Sequence, residues 1–180
     1  MNFKSFPEIN TTRLFLRRLQ DSDGDVILFL QSDAAVTNFI ERPDHRKVKN
    51  LSDAVSFINS LNSYFETNKS ISWGITIKDQ TSVIGTICLW NFSLDYKTAE
   101  VGYDLHTKHQ NKGVMSEALK AIVDFGFREL KLDKIEAFTH SKNENSIKLL
   151  LKNGFSLNGN RSDIANKSNI VFETVSANKI

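Results

Sequence analysis

The chain is short of cysteine and proline, with one Cys and two Pro in 180 residues, and its formal charge is only +2. A lone Cys88 cannot form an internal disulfide framework, which agrees with a reducing compartment, and a cytoplasmic location is expected. The 23 Lys and Arg are nearly balanced by 21 Asp and Glu, and no basic block stands out beyond residues 42–49. That excludes a large nucleic-acid footprint, because such domains concentrate positive charge on one face. No apolar run approaches the roughly 18–20 residues of a membrane span. Residues 1–10, with Lys4, Pro7 and Glu8, hold no apolar core of a signal peptide. There is no repeat, low-complexity tract or Pro/Gly-rich linker, so one domain over residues 1–180 is expected. A chain of this size buries roughly 70% of its unfolded surface and needs neither disulfide nor metal to hold it together.

Several chemical signatures are missing as well. No Gly-Lys-Ser/Thr marks a P-loop, no Gly-x-Gly-x-x-Gly a dinucleotide turn, and no Gly-x-Ser-x-Gly a hydrolase elbow. His45, His106, His109 and His140 show no metal-ligand spacing, so no metal is expected. Cys88 lies between Ile87 and Leu89 in an apolar run and reads as a packing residue rather than a nucleophile.

What is present is ordinary globular material, 40% apolar and 24% charged, with thirteen Phe implying a bulky core. Residues 12–19 read as a first strand, and Asp21 to Asp25 supply caps for a short helix through residues 26–30. Ala54, Phe57, Ile58, Leu61 and Phe65 recur at helical spacing, so residues 52–66 form an amphipathic helix whose other face, with Asn59, Asn62 and Ser63, is expected to be wet. From Ile71 the period becomes two. Strands at 71–77 and 83–90 flank the turn residues 78–82 as an antiparallel hairpin, and a third strand follows at 98–105. A helix from about 113 to 128, a strand at 134–139, a helix at 143–152, a strand from Phe155 and a last strand at 170–175 complete the chain. A meander followed by alternating strands and helices implies an α+β (mixed α/β) fold, a mixed sheet with helices on both faces.

The segment Gln110, Asn111, Lys112, Gly113, Val114, Met115 runs from a strand into the 113–128 helix. A helix start presents unpaired N–H groups and the positive end of the dipole, so a diphosphate can be bound there by backbone alone. At Gly113 a Cβ would hinder close approach. A Gly before a helix is also a plain turn, and by itself it says little. In the 98–105 strand, Glu100, Gly102 and Asp104 share one face and Ala99, Val101, Tyr103 and Leu105 the other. Gly102 in a strand interior suggests a bulge or a close approach. Asn143 suits an N-cap, and Gly154 a helix stop.

Gln110, Gly113 and Met115 stand in the places of the Gln/Arg-x-x-Gly-x-Gly/Ala phosphate signature of the GNAT superfamily, which the chain resembles. Within it the chain is similar to the RimJ/RimL branch of ribosomal-protein N-terminal acetyltransferases. The resemblance runs through Thr12-Arg13-Leu14-Phe15-Leu16-Arg17, Val83-Ile84-Gly85-Thr86-Ile87, Ala99-Glu100-Val101-Gly102-Tyr103, Asn143-x-x-Ser146 and Lys152-x-Gly154-Phe155. Met115 departs from the small residue of the general signature.

The resemblance implies a GNAT fold with a mostly antiparallel central sheet, and acetyl-CoA as cosubstrate. It implies pyrophosphate contacts from Gln110 through Met115 and a bulged strand whose backbone at Leu105 and His106 meets the pantetheine arm, with Asn143 beside it. Glu100 occupies the place of a general base acting through water; its other reading is a salt-bridging surface Glu. Leu150 stands where many GNAT enzymes carry a proton-donating Tyr, so Ser146 inherits that role, or is simply a first-turn Ser supporting the cap. The expected reaction is direct acetyl transfer to a primary amine, foremost the α-amine of a protein N-terminus. A small amine (polyamine, amino sugar or antibiotic) and a non-catalytic acyl-CoA-binding module are the alternatives. No membrane or nucleic-acid partner is expected, and a homodimer stays open. Acceptor choice falls to residues 33–68 and 159–169, which carry no readable code.

Overall fold

The computed structural model describes residues 5–40 and 47–177, so His45 and most of the basic 42–49 stretch lie outside the described residues. Its strands are β1 (Ile9–Asn10), β2 (Leu14–Arg18), β3 (Ile71–Ile77), β4 (Val83–Trp90), β5 (Thr98–Leu105), β6 (Lys134–His140), β7 (Ser156–Ser162) and β8 (Asn169–Val175). The helices are α1 (Gly24–Ser32), α2 (Ala34–Thr37), α3 (Leu51–Glu66), α4 (Val114–Arg128) and α5 (Glu144–Lys152). One eight-stranded sheet runs in the order β1-β2-β3-β4-β5-β6-β8-β7. Every pairing is antiparallel except β5 with β6. That parallel pair needs a crossover connection, and α4 supplies it.

β3 is buried along Ile71 to Thr76, which places cover on both faces of the sheet. Its period of two therefore separates large from small residues rather than dry from wet. Ile71, Trp73 and Ile75 join a cluster with Met115, Leu119 and Ile122 of α4 and Leu150 of α5. A second cluster unites Ile27 and Leu30 of α1 with Ala54 and Ile58 of α3, together with Leu19 and Val83. On that second face Gly74 is tightly covered: a Cβ there would come within 2.8 Å of the Leu19 side chain.

Several boundaries differ from the sequence reading for local reasons. α1 is longer than residues 26–30 and is preceded by a 3-10 turn at Asp21–Asp23. α3 begins at Leu51 because Asn50 Oδ1 accepts the Asp53 N–H at 2.9 Å. Asn62 is half-buried rather than wet, accepting from Arg18 Nε at 3.0 Å and donating to the Leu19 carbonyl at 3.2 Å. Residues 159–162 belong to β7, which shortens the acceptor loop to 163–168.

The expected bulge in β5 is absent from its pairing with β4, whose register is regular from Leu105 to Glu100. The irregularity lies between β3 and β4, at Ile75/Thr76. Gly102 instead answers a close approach, since a Cβ there would meet Cys88 Sγ at 3.3 Å and Trp90 Nε1 at 3.8 Å.

Candidate active site

β5 and β6 pair only over Thr98–Glu100 and Lys134–Glu136. Beyond that point the rest of β6 pairs with β8 alone, and the two strands part. His106 N–H donates to the Ile84 carbonyl at 2.9 Å. By strand alternation the N–H groups of Tyr103 and Leu105 therefore point away from β4, into the opening. An extended amide-bearing chain fits such an edge, which offers backbone donors and acceptors with no strand opposite.

Of the two expected backbone contacts, the Leu105 N–H faces the opening and the His106 N–H does not. The His106 N–H is spent on Ile84, and its carbonyl accepts from His109 N at 2.9 Å. Its imidazole stacks on Phe29 of α1, with ring centroids 4.1 Å apart. The Leu105 carbonyl accepts from Gln110 Nε2 at 3.1 Å, so Gln110 fastens the following loop to the strand end.

That loop has the shape an anion site requires. Asn111 has φ 59° and Gly113 φ 74°, two left-handed residues that turn the chain into α4. Left-handed backbone is tolerated best by Gly, with Asn next, so the residue types match the turn. The first helical bond runs from Glu117 N–H to the Gly113 carbonyl at 3.1 Å. The N–H groups of Val114, Met115 and Ser116 are thus left facing outward in the first turn. Val114 and Met115 bury their side chains in the core. The departure at Met115 is thereby accommodated: its bulk points inward while its N–H faces the loop.

Arg13, not singled out as a site residue from sequence, completes this corner. Its Nε donates to Glu117 Oε2 at 2.6 Å and its Nη1 to the Lys112 carbonyl at 3.1 Å. A Cβ at Gly113 would lie 3.4 Å from Arg13 Nη2. A half-exposed guanidinium beside an open helix start adds a positive charge where a phosphate would sit. Nothing local in the sequence joins positions 13 and 117.

Glu100 sits where β5 and β6 part, on the face that carries α1. It is 9% exposed and accepts from Asn91 Nδ2 at 2.6 Å. In register beside it stands Glu136, and beyond that Glu173, a row of three carboxylates across three strands. Lys134 Nζ bonds Glu136 at 2.7 Å and approaches Glu173 at 3.4 Å, and Arg161 stands 3.4 Å from Glu136. Burial pushes the Glu100 carboxyl above the ordinary carboxylate range; the Asn91 bond opposes this and the Glu136 charge adds to it.

On the opposite face, Asn143 Oδ1 caps α5 by accepting the Ser146 N–H at 3.1 Å. The Ser146 hydroxyl is 2.8 Å from the Tyr103 hydroxyl, which links the first turn of α5 to β5 across the opening. Burial raises the Tyr103 phenol to about 12. Tyr103 is a second site residue missed from sequence, where it reads only as a strand-face aromatic. Cys88, pushed to about 12 mainly by burial, keeps its proton and suits packing rather than attack. Among the described residues no cluster of His, Cys, Asp or Glu could hold a metal, and no helix is long and apolar enough to cross a membrane.

Residues 13–156 match the family of the acetyltransferase (GNAT) domain. The chain is 32% identical over 154 residues to the uncharacterized N-acetyltransferase YoaA of Bacillus subtilis, covering 86% of this chain and 85% of YoaA. Among solved structures it resembles the ribosomal-protein-S5-alanine acetyltransferase of Vibrio fischeri, with TM-score 0.80 and 20% identity over 95% of this chain and 97% of that one. It also resembles RimL, a ribosomal L7/L12 α-N-protein acetyltransferase crystallised with coenzyme A, with TM-score 0.79 and 18% identity over 94% and 98% of the two chains. The chain therefore belongs to the GNAT acetyltransferase family, and acetyl-CoA is its cosubstrate.

Proposed function

We propose that this GNAT acetyltransferase transfers acetyl from acetyl-CoA to the α-amino group of a protein or peptide N-terminus, with Glu100 as the base acting through a water. The observation that carries this reading is the buried Glu100 carboxylate at the point where β5 and β6 part. The cosubstrate supplies an activated thioester. Arg13 and the N–H groups of Val114 to Ser116 hold its diphosphate, and the Leu105 and Tyr103 edge of β5 aligns its arm, with Asn143 beside it.

The amine nitrogen forms the new C–N bond as the C–S bond breaks with its electron pair on sulfur. An ammonium has no lone pair for this, so Glu100 takes its proton through water, help worth about 10²- to 10⁴-fold. The Ser146 hydroxyl faces the leaving sulfur. A reference pKa of about 7.7–8.0 for an α-amine, against about 10.4 for Lys, makes the terminus the easier acceptor for a site with a single base. The fold shared with ribosomal-protein acetyltransferases supports the same acceptor class.

The test is release of CoA thiol with a panel of free-terminus peptides, terminus-blocked Lys peptides and polyamines. Turnover confined to the polyamines overturns the acceptor; no turnover with any amine, despite CoA binding, overturns the enzyme reading in favour of a binding module.

A further inference from the structure

We propose that Tyr103 and Ser146 act as one two-hydroxyl unit that stabilises the departing sulfur as a thiolate, with Tyr103 holding Ser146 from behind and neither group surrendering its proton. This rests on the reading that Ser146 faces the leaving sulfur. The two oxygens are 2.8 Å apart, and the Ser146 N–H is already taken by Asn143 Oδ1. A serine hydroxyl has one proton and two acceptor sites, while a phenol has one proton. If Tyr103 donates to Ser146 Oγ, the Ser146 proton is directed away from Tyr103 and is available to a third group. Ser146 also lies in the first turn of α5, a nine-residue helix whose positive end favours an anion.

Proton transfer from this pair is unfavourable. The partly buried phenol is raised by desolvation to about 12, whereas a thiol of ordinary acidity ionises near about 8.5. Moving a proton from the phenol to the thiolate is therefore uphill by more than about 10³-fold. A hydrogen bond to the developing charge avoids that cost and still favours C–S cleavage. The balance closes without an acid: the electron pair of the C–S bond leaves on sulfur, the amine's proton goes to Glu100 through water, and the thiolate meets a proton in solvent after release. Tyr103 is thus a positioning residue for Ser146.

The experiment titrates the thiol of CoA bound to the purified protein by its thiolate ultraviolet absorbance, in wild type, Tyr103→Phe, Ser146→Ala and the double variant. Calorimetric CoA affinity serves as the control for folding. The bound thiol in wild type is expected to show a thiolate fraction roughly tenfold above that of free CoA at equal pH, the size of one charge-assisted hydrogen bond. Ser146→Ala loses this gain, Tyr103→Phe loses roughly threefold of it, and the double variant matches Ser146→Ala. A Tyr103→Phe titration equal to wild type, or a further loss on adding it to Ser146→Ala, overturns the unit while leaving the placement of Ser146 intact. A Ser146→Ala titration equal to wild type overturns that placement itself.

Discussion

Arg13 and Glu117, 104 residues apart, are joined by a 2.6 Å bond from guanidinium Nε to carboxylate, and the Arg13 N–H donates to the same carboxylate at 2.7 Å. Thr11 Oγ1 adds a third donor at 2.6 Å. The connection between β1 and β2 is thereby tied to the first turn of the helix that carries the proposed diphosphate site. Burial acts to raise the Glu117 carboxyl, but the Thr11 and Arg13 hydrogen bonds outweigh it and hold it below its ordinary value.

Glu117→Gln should therefore destabilise the fold by about 1–2 kcal/mol near neutral pH, mostly through the weakened hydrogen bonds, because Arg13 is half in solvent. A carboxyl depressed in the folded state stabilises above its unfolded pKa, and that contribution is lost as pH falls through the folded value. Urea denaturation at neutral and acidic pH checks this, and the gap between wild type and variant should close on acidification.

Gly113 lends itself to a paired substitution. Asn and Asp both tolerate left-handed backbone better than other side chains, so Gly113→Asn reports the added bulk and Gly113→Asp the added charge as well. Calorimetric titration with CoA should show the Asp variant binding at least about tenfold more weakly than the Asn variant, the scale of one charge-assisted contact. Equal affinities would place the diphosphate elsewhere.

Glu100→Gln should lower kcat most at neutral pH and recover toward wild type as rising pH deprotonates the amine unaided, with CoA affinity unchanged. In wild type the raised Glu100 carboxyl puts the acid limb of the profile above the ordinary Glu range, since the base works only once ionised. Glu136→Gln removes the neighbouring negative charge that helps raise Glu100. The acid limb should then move to lower pH, and a limb that stays in place would separate Glu136 from the base.

Acceptor choice gives a fourth prediction. In a mixed peptide pool, mass spectrometry should find acetyl on free N-termini ahead of Lys side chains at neutral pH, and acetyl solely on lysines would refute the α-amine reading.

The sequence alone determined those features whose causes are local. Period-two runs mark β3, β4 and β5, and Asn143 marks the start of α5. Gly113 was legible because a helix start open to a phosphate favours a residue without a Cβ, and the structure adds its left-handed φ of 74°. The alternation of β5 even placed Glu100 and Tyr103 on different faces, since side chains three apart on a strand must diverge.

What lies opposite each residue was decided by the tertiary structure. Glu100 stands beside Glu136 through the parallel register that α4 permits, and Tyr103 meets Ser146 because α5 reaches across where β5 and β6 part. The His106 amide looked available until the register of β5 with β4 gave it to Ile84. Arg13 joined the site through a contact spanning most of the chain. Pairing register and helix placement depend on how all the buried surfaces fit together, and no window of neighbouring residues contains that information.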